Sequence, residues 1–184
     1  MQQATERLKT ASFHGLFHFD VEEDATTGEL RLRGLSAGWP WLHTEVFLAE
    51  LTNFGEVLQG SLPELARRFV TVLPVTQPPW PNSRQGERRE PIEVKGLTPT
   101  QQGQAFWFDV SMDTEHRKLF TVGLDGLLMV ATGSSDSSPA LARARALELA
   151  VRLDVPEKQY RVDAGQLVDP VLSTLEERWG VVLS

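Results

Sequence analysis

The chain has 184 residues, of which 41% are hydrophobic and 23% are charged, and a formal net charge of −7. This length allows one sizeable domain, or one domain with a smaller lobe. No apolar run approaches the roughly 20 residues that cross a bilayer, and no secretory signal opens the chain, so we expect a cytoplasmic protein without membrane contact. Because the chain has no cysteine, disulfides, thiolate nucleophiles and cysteine–zinc sites are excluded. The negative charge argues against nucleic-acid binding, which depends on neutralising phosphates.

The first 60 residues are predicted to form a helix, a β-hairpin and a second helix. Apolar side chains have helical spacing at 5–11, and from residue 13 the apolar period changes to two, as in a half-buried strand. A turn at 24–28 leads to a returning strand at 29–33. A helix is predicted over 42–58, with its end at a glycine.

Two histidines of the first predicted strand are of a residue type that can bind a metal ion. His14, His18 and Asp20 are predicted to share one face of the strand. His14 and His18 would be about 13 Å apart, from roughly 3.3 Å per residue, which is too far for one metal ion. A solvated or interface face is therefore the favoured interpretation.

A second unit, rich in strands, is predicted from residue 61. The β-branched run at 69–75 is predicted as a buried strand, and the Pro-rich loop at 77–90 is long for a connector, which is typical of functional loops. Further strands are predicted at 92–95, 105–112, 119–122, 127–132 and 159–162.

Two helices are predicted in this second unit. The first covers 139–153, with Ser138 as N-cap and Pro139 at the first helical position. The second starts with Asp169 as N-cap and ends at Gly180. One side of the first helix is expected to carry Ala140, Ala144, Leu147 and Val151. One side of the second is expected to carry Val168, Leu172, Leu175 and Trp179.

Several short motifs follow one another in a defined order. They are Phe13-His14-Gly15, Trp80-Pro81, Arg84-Gln85-Gly86, the segment 92–97, Asp125-Gly126 and Tyr160-Arg161-Val162-Asp163-Ala164-Gly165. In order and spacing they resemble the C-terminal half of phosphoribosylamine–glycine ligase (glycinamide ribonucleotide synthetase), an enzyme of the ATP-grasp superfamily. The resemblance covers about residues 13–165. It implies an α+β fold in which residues 1–60 are a remnant of the ATP-grasp C-terminal lobe, packed on a β-rich C-terminal domain, 61–184, with a covering helix.

The metal-binding run of that family is altered in this chain. Where the family has Glu-Phe-Asn-x-Arg-Phe-Gly-Asp-Pro-Glu, residues 32–41 are Leu-Arg-Gly-Leu-Ser-Ala-Gly-Trp-Pro-Trp. Leu32 replaces the glutamate, Gly34 the asparagine and Ser36 the arginine, although Mg²⁺ requires oxygen ligands. Arg33 supplies positive charge but cannot bind a cation. The resemblance therefore implies no catalytic residue, no metal site, and no ATP or Mg²⁺ unless a partner chain supplies the site.

Candidate residues for binding a ligand or partner lie around two segments rich in tryptophan and proline. Rigid aromatic clusters of this kind occur both in protein cores and at interfaces. His43 and Glu45 follow the first segment, where the lining of a pocket and the start of a helix explain them equally well. The predicted binding set is Arg33, Trp39, Trp41, His43, Glu45, Trp80 and Arg84.

The patterns support three hypotheses about function. The first is a non-catalytic binding or assembly subunit derived from an ATP-grasp ligase, with a protein partner or a second copy bound through residues 13–41. The second is a subunit of a split ATP-dependent carboxylate–amine ligase, active only with an ATP-binding partner chain. The third is a stand-alone structural or interaction protein, for instance in a virus.

Overall fold

The computed structural model describes residues 17–24, 26–37, 50–66, 68–78, 80–81 and 90–180. Within these residues the chain has the predicted α+β fold. The chain divides into two compact units, an N-terminal unit, Met1–Thr44, and a C-terminal unit, Glu45–Ser184. The domain boundary predicted after residue 60 stays a prediction. Backbone hydrogen bonds cross that point, since Leu51 pairs with Leu65 in an isolated bridge.

The described part of the N-terminal unit is the predicted hairpin. Strand β1 (Phe17–Glu23) pairs antiparallel with β2 (Leu30–Ala37). The Asp24 side chain orders the turn by accepting hydrogen bonds from the backbone of Thr26 and Thr27, at 2.9 and 3.1 Å. These bonds explain why an Asp begins the turn, since its short side chain reaches donors two and three residues later.

The C-terminal unit contains two antiparallel three-stranded sheets. Its strands are β3 (Phe69–Thr76), β4 (Glu93–Val94), β5 (Ala105–Trp107), β6 (Val110–Asp113), β7 (Lys118–Thr121) and β8 (Leu127–Ser135). The sheets have the strand orders β3-β8-β5 and β4-β7-β6. The central strand β8 lies between β3 and β5 and is buried along most of its length. The strand predicted at 69–75 is confirmed, but within that range only Leu73 and Val75 are buried.

The single strand predicted at 105–112 is wrong, because the chain leaves one sheet for the other at residues 108 and 109. Asp109 is buried, and its carboxylate accepts hydrogen bonds from the backbone N–H groups of Leu124, Asp125 and Gly126 at 2.8, 3.1 and 3.0 Å. A buried carboxylate needs such donors, and they fix the chain at the point where it changes sheets. The alternation of apolar residues that indicated one strand therefore belongs to two.

Helix α3 (Pro139–Arg152) covers the first sheet by packing on β8 and β3, as the predicted covering helix does. The Ser138 hydroxyl caps it by accepting the Leu141 N–H at 3.2 Å, which confirms the predicted N-terminus. The predicted apolar side is wrong for three of its four residues, since Ala140 and Ala144 are exposed and Val151 is 61% exposed, whereas Leu147 packs against the core. The buried side chains are instead Ala142, Ala146, Leu149 and Ala150.

Three shorter helices complete the described structure. Residues 51–53 interrupt the helix predicted over 42–58, so that α1 covers only Phe54–Val57. Helix α2 (Pro99–Gln102) was not predicted, although Thr98 and Gln101 form a capping box that the sequence contains. Helix α4 (Val168–Trp179) begins one residue before the predicted cap and ends, as predicted, at Gly180.

Two remaining predictions have different outcomes. The strand predicted at 159–162 is reduced to a single bridge between Gln159 and Thr76, because only these two residues exchange backbone hydrogen bonds, at 2.9 and 2.7 Å. The helix predicted at 5–11 and the part of the second helix at 42–49 lie outside the described residues.

Candidate functional site

The structure describes two residues of the predicted binding set, one in each unit. Arg33 lies on β2 in the N-terminal unit, and Trp80 follows β3 in the C-terminal unit. The other members lie outside the described residues: Trp39, Trp41, His43, Glu45 and Arg84.

Arg33 is the extra residue of a β-bulge. Val21 pairs with Leu32 and Asp20 pairs with Gly34, so Arg33 has no direct partner across the hairpin. Its exposed guanidinium forms an ion pair with Glu22 on the neighbouring strand. The charge predicted to be available to a ligand is therefore already balanced by a carboxylate.

The bulge gives the hairpin one apolar face. Apolar residues on β2 have even numbers up to Leu32 and odd numbers from Leu35. Because Arg33 is an extra residue in the strand, both sets point to the same side of the hairpin. Directly opposite residues share a face, so Phe19 and Val21 on β1 join them, with Glu23 at the turn end. Residues on this apolar face are strongly exposed: Val21 55%, Leu30 58%, Leu32 58% and Leu35 48%.

The opposite face of the hairpin is polar and internally paired. His18 Nε2 lies 2.7 Å from Asp20 Oδ1, so these two residues share a face as predicted. Arg31 forms an ion pair with Asp24 at 3.0 Å. Within the described residues, no group of three or more His, Asp or Glu side chains lies close enough together to hold a metal ion.

The C-terminal unit contains a cleft of about 400 Å³ beside β3. One wall is formed by Trp80, and the facing segment, which follows α3, contributes Tyr160 and Arg161. Leu73, Pro74 and Thr76 line it from the strand. Of the predicted binding set, the cleft thus includes Trp80. Tyr160 and Arg161, which belong to the last sequence motif, also line it but are not in the predicted set.

A network of backbone hydrogen bonds positions Trp80 at the cleft. Trp80 N–H donates to the Gln77 carbonyl at 3.0 Å, and Gln77 N–H donates to the Gly126 carbonyl at 2.7 Å. Gly126 has φ of 85°, and a Cβ there would lie 2.4 Å from the Gln77 carbonyl oxygen. The close approach therefore requires glycine at this position.

The Gln77 side chain connects Trp80 to the opposite wall. Gln77 is buried, and its amide donates to the Pro156 carbonyl at 2.6 Å. Sequence reasoning missed this residue, because a glutamine at the edge of a Pro-rich loop has no distinctive pattern. Trp80 and the pair Tyr160-Arg161 thus line one cleft, and Gly126 holds the backbone of Gln77 behind it, although 79 residues separate Gln77 from Pro156.

Two cations from α3 and its neighbouring loop hold the second wall. Arg143 donates to the carbonyls of Ala164 and Val162, at 2.7 and 2.5 Å. Lys158 Nζ donates to the carbonyls of Ala150 and Val151 at the end of α3, at 2.9 and 2.7 Å. Partial burial lowers the pKa of Lys158. These bonds fasten the segment that carries Tyr160 to the helix.

Arg161 lies at the mouth of the cleft, next to an acidic neighbour. Its Nε and Nη2 atoms donate to the two carboxylate oxygens of Asp163, at 3.0 and 2.5 Å. This paired geometry lowers the pKa of the Asp163 carboxyl and raises the pKa of Arg161. The Arg161 side chain remains 80% exposed, so the guanidinium is accessible to solvent.

No protein-family model matches the chain, and no curated protein matches it. Within the described residues, no helix is both long enough and apolar enough to cross a membrane.

Proposed function

We propose that the chain is a non-catalytic binding or assembly subunit derived from an ATP-grasp ligase and related to phosphoribosylamine–glycine ligase. It acts by docking the region of residues 13–41 on a protein surface, either a partner or a second copy. The absence of cysteine is compatible with a reducing compartment, and we propose a cytoplasmic location.

The exposed apolar face of the hairpin carries this proposal. Four aliphatic side chains on it are each about half exposed, whereas the polar face pairs its charges within the hairpin. An isolated two-stranded hairpin is marginally stable in water, and a contiguous apolar patch commonly marks an interaction surface. Covering this face would remove apolar area from water and stabilise the two strands together.

The chemistry of β2 supports binding rather than catalysis. By the resemblance, Leu32 and Gly34 occupy the places of the family's metal-binding glutamate and asparagine. In the structure Leu32 belongs to the apolar face, and a Cβ at position 34 would lie 2.7 Å from an Asp20 carboxylate oxygen. Neither residue offers a side-chain oxygen to Mg²⁺.

The proposal is tested by two neighbouring substitutions on opposite faces of β2. Leu32→Gln changes the apolar face, and Arg31→Gln is the matched control on the polar face. Analytical ultracentrifugation of the full chain, alone and with the protein that co-purifies from the native source, is expected to show an association that Leu32→Gln weakens by about tenfold or more. Arg31→Gln should leave it unchanged, because an exposed ion pair contributes little.

A monomer at all concentrations with no co-purifying partner would contradict the proposal, as would equal effects of the two substitutions. Trp39 and Trp41 belong to the same proposed docking region. If they are hot spots, changing both to Ala is expected to weaken the association by more than about 2 kcal/mol.

The split-ligase hypothesis is the second candidate. Two motifs of the resemblance contribute residues to the cleft, Trp80 from one and Tyr160 and Arg161 from the other, and this supports it, since such an arrangement would be retained in a subunit that completes a shared active site. Calorimetric titration of MgATP into the chain together with its co-purifying partner separates the two candidates, because only a split ligase binds the nucleotide in that complex. We expect no binding to the chain alone, and a micromolar, magnesium-dependent dissociation constant would contradict the non-catalytic proposal.

A further inference from the structure

We propose that the cleft beside β3 binds a small organic anion that carries a flat apolar group. This site belongs to the C-terminal unit and is independent of the docking function proposed for the hairpin. Eight described residues line it, and its volume of about 400 Å³ lies in the range of small-molecule sites.

The walls of the cleft determine the apolar part of the ligand. Trp80 and Tyr160 line it from two separate segments, and Leu73 and Pro74 line it from β3. Leu73 is fully buried, so it supports the floor of the cleft from the core and offers little surface to a ligand. Aromatic side chains favour planar ligands, because offset stacking and edge contacts add to the burial of apolar area.

The donors of Arg161 at the mouth of the cleft determine which ligand group binds there, although its charge, like that of Arg33, is paired with a carboxylate. Among the described residues that line the cleft, Arg161 carries the one charged side chain. A guanidinium has five N–H donors, and Asp163 engages the Nε and one Nη2 donor. Among the described residues no partner is seen for the Nη1 donors, which can therefore bind a carboxylate or a similar anion.

The neighbouring hydrogen bonds keep this arrangement fixed. Arg143 holds the carbonyls on both sides of Asp163, and the bridge between Thr76 and Gln159 closes the inner end. The Lys158 ammonium lies 5.9 Å from the centre of the Tyr160 ring, but its donors are directed to carbonyls at the end of α3. Among the described residues, Arg161 is thus the cation that a ligand in the cleft would meet.

The test uses 2-naphthoate, its neutral analogue 2-naphthamide and the full chain. Binding is followed by two-dimensional NMR at the Trp80 indole N–H and the backbone of Ala164. We expect naphthoate to shift these signals, and naphthamide to bind about tenfold more weakly, because it lacks the charge-assisted hydrogen bond.

Three variants distinguish a binding role of Arg161 from a structural one. Arg161→Gln should weaken naphthoate binding about tenfold, whereas Asp163→Asn should strengthen it about threefold, because a nearby like charge is removed. Arg152→Gln is the matched control, since Arg152 is an exposed arginine paired with Glu148 and does not line the cleft.

Each contrary result would overturn the assignment. These results are no shift at the cleft with either probe, equal binding of naphthoate and naphthamide, or unchanged binding in Arg161→Gln. Weaker naphthoate binding in Asp163→Asn would overturn it too, and an equal loss in Arg152→Gln would show a general effect of charge.

Discussion

Asp109 shows how one residue can determine the path of the chain. Its carboxylate accepts three successive backbone N–H groups of the turn before β8, and its own N–H and carbonyl bond to Leu127 and Val122. The residue therefore joins β5, β6, β7 and β8 at the point where the chain passes between the two sheets. A buried carboxylate in this position is structural, since all its described partners are backbone groups of the same unit.

We expect Asp109→Ala to destabilise the C-terminal unit by about 3 kcal/mol, because it leaves several N–H donors without an acceptor in a partly buried turn. Urea unfolding of the full chain measures the change. The matched control is Asp136→Ala at an exposed position, which should change stability by less than about 0.5 kcal/mol. Equal effects of the two substitutions would show that the three bonds contribute nothing measurable.

At the scale of elements, α3 and β8 approach each other closely enough for their backbones to touch. A Cβ at Gly133 would lie 2.1 Å from the Ala142 carbonyl oxygen and 2.5 Å from the Ala146 nitrogen. Small residues on both elements allow the two backbones to meet. This close packing explains why the helix buries its alanines and leaves Val151 exposed.

Gly133→Ala is expected to cost about 2 kcal/mol or more, because the added methyl group overlaps helix backbone that cannot move without disturbing the core. The control is Gly55→Ala in α1, where a Cβ would meet no atom within 4 Å. That change should be neutral or stabilise slightly, because alanine has less freedom than glycine in the unfolded chain. Thermal unfolding followed by circular dichroism distinguishes the two, and a Gly133→Ala protein as stable as the parent chain would disprove the close packing.

At the scale of the whole molecule, stability is sensitive to acid because folding lowers the pKa of several carboxyl groups. In the C-terminal unit, hydrogen bonds from Lys118 and Lys95 lower the pKa of Glu93 below 4.5. A hydrogen bond from the His116 side chain, followed by one from its backbone, lowers the pKa of Asp113 below 3.8. Arg161 does the same for Asp163. All three acids are favoured in their ionised form by the folded state.

The sign of the pH dependence follows from these shifts. Each group contributes its full stabilisation above its ordinary pKa, and the contribution is lost as the pH falls through the lower value of the folded state. We expect the free energy of unfolding to fall below about pH 4.5. Asp113→Asn should make this fall shallower, and added salt should reduce it.

Urea unfolding at successive pH values measures the effect. Glu115→Gln is the matched control, because Glu115 is an exposed acid on the same turn whose side chain has no bond among the described residues. Stability that rises on acidification, or identical curves for Asp113→Asn and the parent chain, would contradict the prediction.

Local features of this protein could be predicted from the sequence because their hydrogen bonds close within a few residues. The cap at Ser138, the Asp24 turn and the stop at Gly180 each depend on groups two to four positions apart. Strands β1, β3 and β8 could also be predicted, because the spacing of apolar residues and the β-branched composition indicate a strand. The α+β class follows from the order of these elements.

Tertiary structure decided the rest. Alanine is accepted on either side of a helix, so only the approach of Gly133 selected which face of α3 is buried. The break at Asp109 depends on donors 15 to 17 residues away, and the inner end of the cleft joins Thr76 to a residue 83 positions later. Such pairings are determined by the packing of the two sheets and the helix, because no local pattern in the chain encodes which distant backbone groups will meet.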